Sequence, residues 1–229
     1  KLGTYPHQLI QKIPVSFEIK KAIIRSASIE YKEKSSVTHQ SGKVQFLGTS
    51  AYASNITNRE TSIANNSRMV VDIKSSFLNR IPMTAKWTFY LGNKDGRFSI
   101  SGKTGQADAR IFNQLAVPMG PAEFKSGHIK TLEFNLEGTN HNIQGRVNLL
   151  YNDFKISLLK KDEDSVHFEK RSVASLFANM KIENSNPEDD DEAPRVANIN
   201  VQRDMKRSIF NLAWKSIFEG IQVIIGAKK

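Results

Sequence analysis

The stretch GHIKTLEFNLEGTNHNIQGRVNLLYNDFKISLLKKD, residues 127–162, decides the fold class of this chain. Apolar and polar side chains alternate along it in three runs, at residues 131–136, 143–151 and 154–158. A period of two places the apolar side chains on one face of a sheet and leaves the other face in water. Gly, Asn and Asp residues, which tolerate turn conformations, separate the runs. The stretch therefore predicts three consecutive antiparallel strands with one apolar face.

Hairpins of the same kind recur elsewhere in the chain. ASIEYKEKSSVTHQSGKVQF (residues 27–46) and MTAKWTFYLGNKDGRFSISG (residues 83–102) each contain an alternating strand, a turn and a second strand. The GNKDG turn at residues 92–96 is especially strong, because its Asn, Asp and Gly accept positive φ. Repeated hairpins along one sheet favour an elongated architecture over a compact enzyme. We therefore expect a mainly β fold, an elongated, curved and open antiparallel sheet of repeated hairpins.

The last part of the chain has a helical pattern. Between residues 204 and 225, apolar side chains recur at spacings of three and four, and Asp204 is placed to cap the helix start. We expect two units, a curved β domain at residues 1–202 and an amphipathic C-terminal helix at residues 203–229. Residues 183–195 combine two prolines with five consecutive acids, which predicts a mobile acidic loop. Residues 170–180 predict a further short helix, and residues 196–201 a last strand.

The composition limits which partners and which kinds of site the protein can have. The 229 residues carry 33 Lys and Arg against 23 Asp and Glu, a net charge of +10 that suits nucleic acid, acidic polymers or anionic lipid headgroups. The basic residues are dispersed and are not interleaved with exposed aromatics, so we expect no nucleic-acid partner. The absence of cysteine excludes disulfides and thiolate metal sites. A start at Lys1 without a signal-peptide pattern favours a segment of a longer protein.

Catalytic and cofactor motifs are missing from the sequence. The five histidines are scattered without metal-ligand spacing, and neither a nucleophile elbow nor a dinucleotide fingerprint occurs. GRFSISGKT at residues 96–104 resembles a phosphate-binding loop, but five residues separate Gly96 from Gly102 where that loop needs four. We expect a protein that is not an enzyme and uses no cofactor or metal.

Several segments carry a resemblance to a known family. SIEYKEK, SGKVQF and SNITN, followed by the stretch at residues 127–162, resemble the C-terminal region of AsmA-like envelope proteins of Gram-negative bacteria. SLFANMKIENSNP and RDMKRSIFNLAWKSIFEGI are similar to the closing segment of one branch of that family. The resemblance implies a periplasmic location, with an inner-membrane anchor outside this chain. It also implies a groove of repeated hairpins that carries phospholipid towards the outer membrane, and an outer-membrane or periplasmic protein partner.

The apolar face of the sheet is the candidate lipid-binding surface. Each buried methylene of an acyl chain contributes ~0.8 kcal/mol, so an apolar trough needs no specific polar contact to hold a lipid tail. The candidate lining residues are Trp87, Phe89, Leu91, Leu132, Phe134, Leu136, Val147, Leu149, Ile156 and Leu158. The same residues suit a protein core covered by the helix or by a second sheet. The alternative function is therefore a structural, adhesion or carbohydrate-binding β-sandwich with a closed core.

The apolar stripe of the C-terminal helix has several possible uses. Its members are Phe210, Trp214, Ile217, Phe218 and Ile221. Lys and Arg residues flank the stripe, which suits a helix lying on an anionic membrane surface. A plug at the end of the groove, a dimer contact and packing on the sheet are equally compatible with the pattern.

Overall fold

The structure, a computed structural model, describes residues 2–35, 39–119, 122–158, 182–189 and 191–227. The strands are β1 Glu18–Lys34, β2 Ser41–Thr57, β3 Arg68–Phe77, β4 Ile81–Tyr90, β5 Phe98–Thr104, β6 Ala107–Asp108, β7 Ala122–Gly138, β8 Asn142–Leu158 and β9 Val196–Gln202. The helices are α1 Pro6–Ile10, α2 Glu60–Asn65, α3 Asn113–Met119 and α4 Ile209–Ile224, and a 3₁₀ turn covers Ala109–Phe112.

All nine strands form one open antiparallel sheet. Its order is β1-β2-β3-β4-β5-β7-β8-β9, and the short β6 pairs with β7 beside this path. Neighbours in the sheet are thus also neighbours along the chain, as expected for successive hairpins. The predicted fold class, a mainly β chain with an open antiparallel sheet and a C-terminal helix, is confirmed.

The predicted three-strand meander at residues 131–158 is in fact two long strands. Asn152–Asp153 was predicted as a turn, but β8 runs through it and pairs with β7 on both sides. Asp153 takes a positive φ of 57°, and the β7–β8 register shifts around it. An extra residue of this kind bends and twists a strand without ending it. The prediction of a turn was wrong because the same Asn and Asp residues suit both a turn and a bulge.

A similar irregularity bends the first strand. The alternation before residue 31 predicted either two strands or one bent strand, and the structure has the bent strand. Ser26 has a φ of 55°, and the pairing with β2 shifts between Ile24 and Ile29. β1 is also an edge of the sheet, so only one of its two sides is paired.

The C-terminal helix covers part of the apolar face. α4 contacts β8 and β9, and a Cβ added at Gly220 would lie 2.5 Å from Cβ of Val147. Because Gly220 has no side chain, the helix backbone rests directly on β8. The buried side of α4 includes Leu212, Ala213 and Ile224.

The start of α4 differs from the prediction. The helix begins at Ile209, and the hydroxyl of Ser208 accepts a hydrogen bond from the backbone N–H of Asn211 at 3.2 Å. Asp204, the predicted cap, accepts instead from the backbone N–H of Lys206 at 2.8 Å. A turn at Asp204–Arg207 redirects the chain from β9 into the helix, so the cap falls four residues later. The helix predicted at residues 170–180 lies outside the described residues.

The N-terminal helix packs against strand ends near the β7–β8 turn. The hydroxyl of Tyr5 donates to the backbone carbonyl of Thr139 at 2.9 Å, and the guanidinium of Arg203 lies 4.2 Å from the Tyr5 ring centroid. The His7 ring lies 5.1 Å from the Phe89 ring. These contacts tie α1 to the β7–β8 turn and to the end of β9.

Candidate functional site

A cavity of about 420 Å³ lies between the apolar face of the sheet and the first half of α4. The helix packs closely on β8 and β9 but stands away from the sheet over the earlier strands. The lining residues are Ile29, Glu30, Tyr31, Val44, Phe46, Thr49, Ile73, Ser75, Phe77, Met83, Ala85, Trp87, Ile100, Thr104, Leu132, Phe134, Phe210, Ala213, Trp214 and Ile217. Most of these side chains are aliphatic or aromatic.

The cavity opens between β1 and the start of α4. Ile29 on β1 and Phe210 on α4 both line it, yet they are 48% and 60% exposed. Phe210 touches the edge of Trp87, with ring centroids 5.7 Å apart, and Trp214 lies 6.4 Å from Phe77. These aromatic contacts join α4 to the sheet on the inner side of the opening.

Polar groups inside the cavity satisfy one another. The hydroxyls of Thr49 and Ser75 are 2.7 Å apart, and the Thr104 hydroxyl accepts from the backbone N–H of Leu132 at 3.2 Å. None of the buried polar side-chain atoms found without a partner in the described ranges belongs to this lining. A mainly apolar space whose buried polar atoms already have partners holds water poorly and favours apolar ligands.

Glu30 is the charged residue of the lining, and strand alternation places its side chain on the face of β1 opposite Ile29 and Tyr31, outside the cavity. The Glu30 carboxylate pairs with the ammonium groups of Lys43 at 2.5 Å and Lys32 at 3.1 Å. Hydrogen bonds from Lys43 and then from Lys32 lower the pKa of Glu30 to about 2. Its carboxylate is therefore ionised at neutral pH. Nearby, the Asn211 amide donates to the Tyr31 hydroxyl at 3.3 Å and links α4 to β1.

The residues predicted from sequence to bind lipid fall into separate groups. Trp87, Leu132 and Phe134 line the cavity. Five others are buried in the core away from the cavity, namely Phe89, Leu91, Leu136, Val147 and Leu149. Ile156 is partly buried and packs against that core. Leu158 ends β8, and its side chain lies outside the described part of the structure.

The predicted contact residues of the helix are divided as well. Phe210, Trp214 and Ile217 line the cavity, although Ile217 is buried and Phe210 largely exposed. Phe218 is 41% exposed and stacks beside Trp214, with ring centroids 6.4 Å apart. Ile221 is partly buried against the core. One helix therefore supplies both a cavity wall and an exposed aromatic surface.

Sequence reasoning missed several lining residues. Val44, Phe46, Ile73, Met83, Ala85 and Ile100 belong to the cavity but were not proposed. Strand register was the available signal for some of them, because Ile100 pairs directly with Trp87 and Ile73 pairs with Ala85 on the same face. No local sequence pattern predicts where α4 packs on the sheet, and this position decides where the cavity lies.

Other kinds of site are not found in the described ranges. No three His, Cys, Asp or Glu side chains there are grouped as metal ligands. No helix of the described ranges has the length and hydropathy needed to cross a membrane.

Comparison with known proteins adds no identification: the chain matches no protein-family model, no curated protein and no solved structure. The resemblance to AsmA-like proteins therefore stays a hypothesis, as do the location and partners that it implies.

Proposed function

We propose that this chain is a non-enzymatic binding module that holds the acyl chain of a lipid between its sheet and α4. The observation that carries the proposal is the cavity of about 420 Å³, which is apolar inside and open at one end. Its volume is within the range of roughly 300–1,000 Å³ that small-molecule sites occupy.

The energetics of such a site favour an aliphatic ligand. Each methylene moved from water into the cavity contributes ~0.8 kcal/mol, without any directional contact. A polar headgroup would stay at the opening, because the interior is lined mainly by aliphatic and aromatic side chains. Binding of this kind depends on shape and apolarity, so it accepts tails of differing length.

The exposed side of α4 supports a membrane contact. Phe210 and Phe218 are 60% and 41% exposed, and Lys206, Arg207 and Lys215 beside them are exposed as well. An aromatic surface flanked by cations suits the boundary between headgroups and acyl chains. We propose that phospholipid exchanges between a membrane and the cavity here, in the periplasm, with docking to an envelope protein as the AsmA resemblance suggests.

Native mass spectrometry with organic extraction of bound material tests the lipid proposal. We expect wild-type protein to retain phospholipid or fatty acid. Ala85→Leu adds bulk to the cavity wall and should reduce the retained lipid at least tenfold. Ala53→Leu is the matched control, because Ala53 pairs with Val71 on the same face but does not line the cavity.

Thermal unfolding of both variants separates loss of binding from loss of fold. Protein without lipid that also fails to bind an added fluorescent fatty acid would refute the proposal. The adhesion or carbohydrate-binding alternative predicts that negative result together with binding to glycans on an array.

A further inference from the structure

A second groove, of about 1070 Å³, crosses the polar face of the sheet from β1 to the start of β9. Ile73, Ala85 and Phe134 line both this groove and the cavity. Side chains alternate between the two faces of a strand, so these residues present side chains to the cavity and only backbone to the groove. The groove walls are the side chains immediately before and after each of them, and these are mostly polar or charged.

The groove has an excess of positive charge. Its cations are Arg25, Lys74, Lys86, Lys103 and Arg146, and its carboxylates are Asp72 and Glu133. Both carboxylates already form ion pairs with cations of the groove: Asp72 with Lys86 at 3.4 Å, and Glu133 with Lys103 at 2.6 Å.

Three groove cations have no counter-ion among the residues that the structure describes. Arg25, Lys74 and Arg146 are exposed, and their side chains make no ion pair within the described ranges. Tyr52, near one end of the groove, contributes an aromatic side chain to the groove wall. A single aromatic provides little stacking for nucleic-acid bases, which favours an acidic polypeptide as the occupant.

The chain itself carries an acidic segment beside this groove. Residues 187–194, which we call the acidic knob, contain five consecutive acids and lead towards Val196, which lines the end of the groove. Two hydrogen bonds hold the two ends of the knob together and so close its base. The side-chain amide N–H of Asn186 donates to the backbone carbonyl of Arg195 at 3.0 Å, and the side-chain oxygen of Asn186 accepts from the backbone N–H of Arg195 at 2.7 Å. Asn186 is fully buried and also donates to the Leu149 carbonyl at 2.6 Å.

The closed base limits how far the knob reaches. Eight residues that leave and return to one point extend at most about 13 Å. Lys74 lies on β3, five strands from β9 in the sheet order, which is about 24 Å along the sheet at ~4.8 Å per strand. The knob therefore cannot neutralise the far cations of its own groove.

We propose that two copies of this chain associate by seating the acidic knob of each in the cationic groove of the other. Because the knob and one end of the groove lie together on one molecule, a two-fold axis brings both complementary pairs into contact at once. The hydrogen bonds between Asn186 and Arg195 fix where the acidic segment leaves the protein, which reduces the entropy cost of association.

Sedimentation velocity at two salt concentrations is the first test. We expect a dimer at about 0.01 M salt, where the Debye length is ~30 Å, and a monomer at about 1 M, where it is ~3 Å. Wild-type protein that stays monomeric at low salt would overturn the proposal.

Charge reversal then identifies the surfaces. A groove variant, Lys74→Glu with Arg146→Glu, and a knob variant, Asp189→Lys with Asp191→Lys and Glu192→Lys, should each be monomeric at low salt. Mixing the two variants should restore a heterodimer, because the reversed knob fits the reversed groove. The control, Lys94→Glu with Lys130→Glu, changes net charge as much as the groove variant, at exposed positions outside the groove, and should remain dimeric.

The outcomes are separable from folding and from lipid binding. Circular dichroism shows whether each variant folds. If the charge reversal disrupts the sheet, the milder Lys74→Ala with Arg146→Ala variant replaces it. This variant should weaken dimerisation at least tenfold. Dimers that persist in both reversal variants would refute the proposed contact. Fatty-acid binding should be unchanged in every variant, since all the altered residues lie outside the cavity.

Discussion

At the residue scale, His7 is an unusual buried group. It is 1% exposed, and neither ring nitrogen has a hydrogen-bond partner in the structure. The ring lies among aromatic side chains, 5.1 Å from Phe89 and 6.1 Å from Tyr5. Burial lowers the pKa of His7 from 6.5 to about 4, because a charged imidazolium would lose its hydration there.

This position predicts loss of stability on mild acidification. The folded state binds the His7 proton more weakly than the unfolded state, so its contribution is complete above about pH 6.5 and is lost as the pH falls towards 4. The full loss is up to about 3 kcal/mol, at ~1.4 kcal/mol for each pKa unit. Urea unfolding at pH 7 and pH 4.5 should show most of this decrease in wild type and a much smaller one in His7→Phe.

The exposed His141 provides the control for that measurement. His141→Gln should keep the wild-type pH dependence, since His141 lies in an exposed turn. An equal decrease in wild type and His7→Phe would show that other groups cause the acid sensitivity.

At the element scale, the position of α4 depends on one close approach. Gly220 faces Val147 on β8, and an added Cβ would come within 2.5 Å of the Val147 Cβ and within 2.6 Å of a Val147 methyl. Neither atom belongs to a long flexible side chain that could move aside. The contact therefore sets the distance of the helix from the sheet, and with it the shape of the cavity.

Gly220→Ala should therefore destabilise the fold, although Ala is the better helix former by ~1 kcal/mol. Overpacking against β8 should cost about 1–3 kcal/mol, measured by urea unfolding. Lys215→Ala, at an exposed position of the same helix, should change stability by less than about 0.5 kcal/mol. A gain in stability for Gly220→Ala would mean that the helix lies farther from the sheet than the structure has it.

At the scale of the whole molecule, the two faces of one sheet have different chemistry. α4 partly covers the apolar face and leaves the cavity, whereas the polar face carries the cationic groove. A single open sheet can present both surfaces, because neither face is needed to close a barrel or a sandwich. The proposed lipid site and the proposed dimer contact consequently use side chains on opposite faces, although the backbone of Ile73, Ala85 and Phe134 borders both.

The exposed aromatic side chains of α4 beside the cavity opening form the proposed membrane contact. Phe210→Ser with Phe218→Ser should reduce binding to vesicles of phosphatidylglycerol and phosphatidylcholine at least tenfold, because two exposed aromatic rings beside the cavity opening are lost. Leu9→Ser with Ile13→Ser is the matched control, since these apolar side chains are 49% and 43% exposed at a site remote in sequence from α4. Co-sedimentation measures both variants, and equal binding by the two would refute a membrane contact through α4.

Much of the fold was predictable because its signals are local. The strands around Trp87, Phe134 and Val147 follow from alternation, and the GNKDG hairpin follows from residues that accept positive φ, as Gly92 and Gly96 do at 72° and 64°. The continuation of β8 through Asp153 was not predictable, since a bulge and a turn use the same residue types.

The candidate site was predictable only in part. Alternation identified the apolar face that contains Trp87, Leu132 and Phe134, but could not separate them from Phe89 and Leu136, which share the same period. All five are buried, and only the first three line the cavity.

The sequence by itself determined the open β architecture, the apolar face and the final helix, because covalent geometry imposes periods of two on strands and 3.6 on helices. Only the tertiary structure decided which apolar residues form a core and which line a cavity. That division depends on where α4 rests, which the contact of Gly220 with Val147 sets between elements far apart in the chain. Long-range packing of this kind depends on the shapes of both surfaces, and no local pattern encodes it.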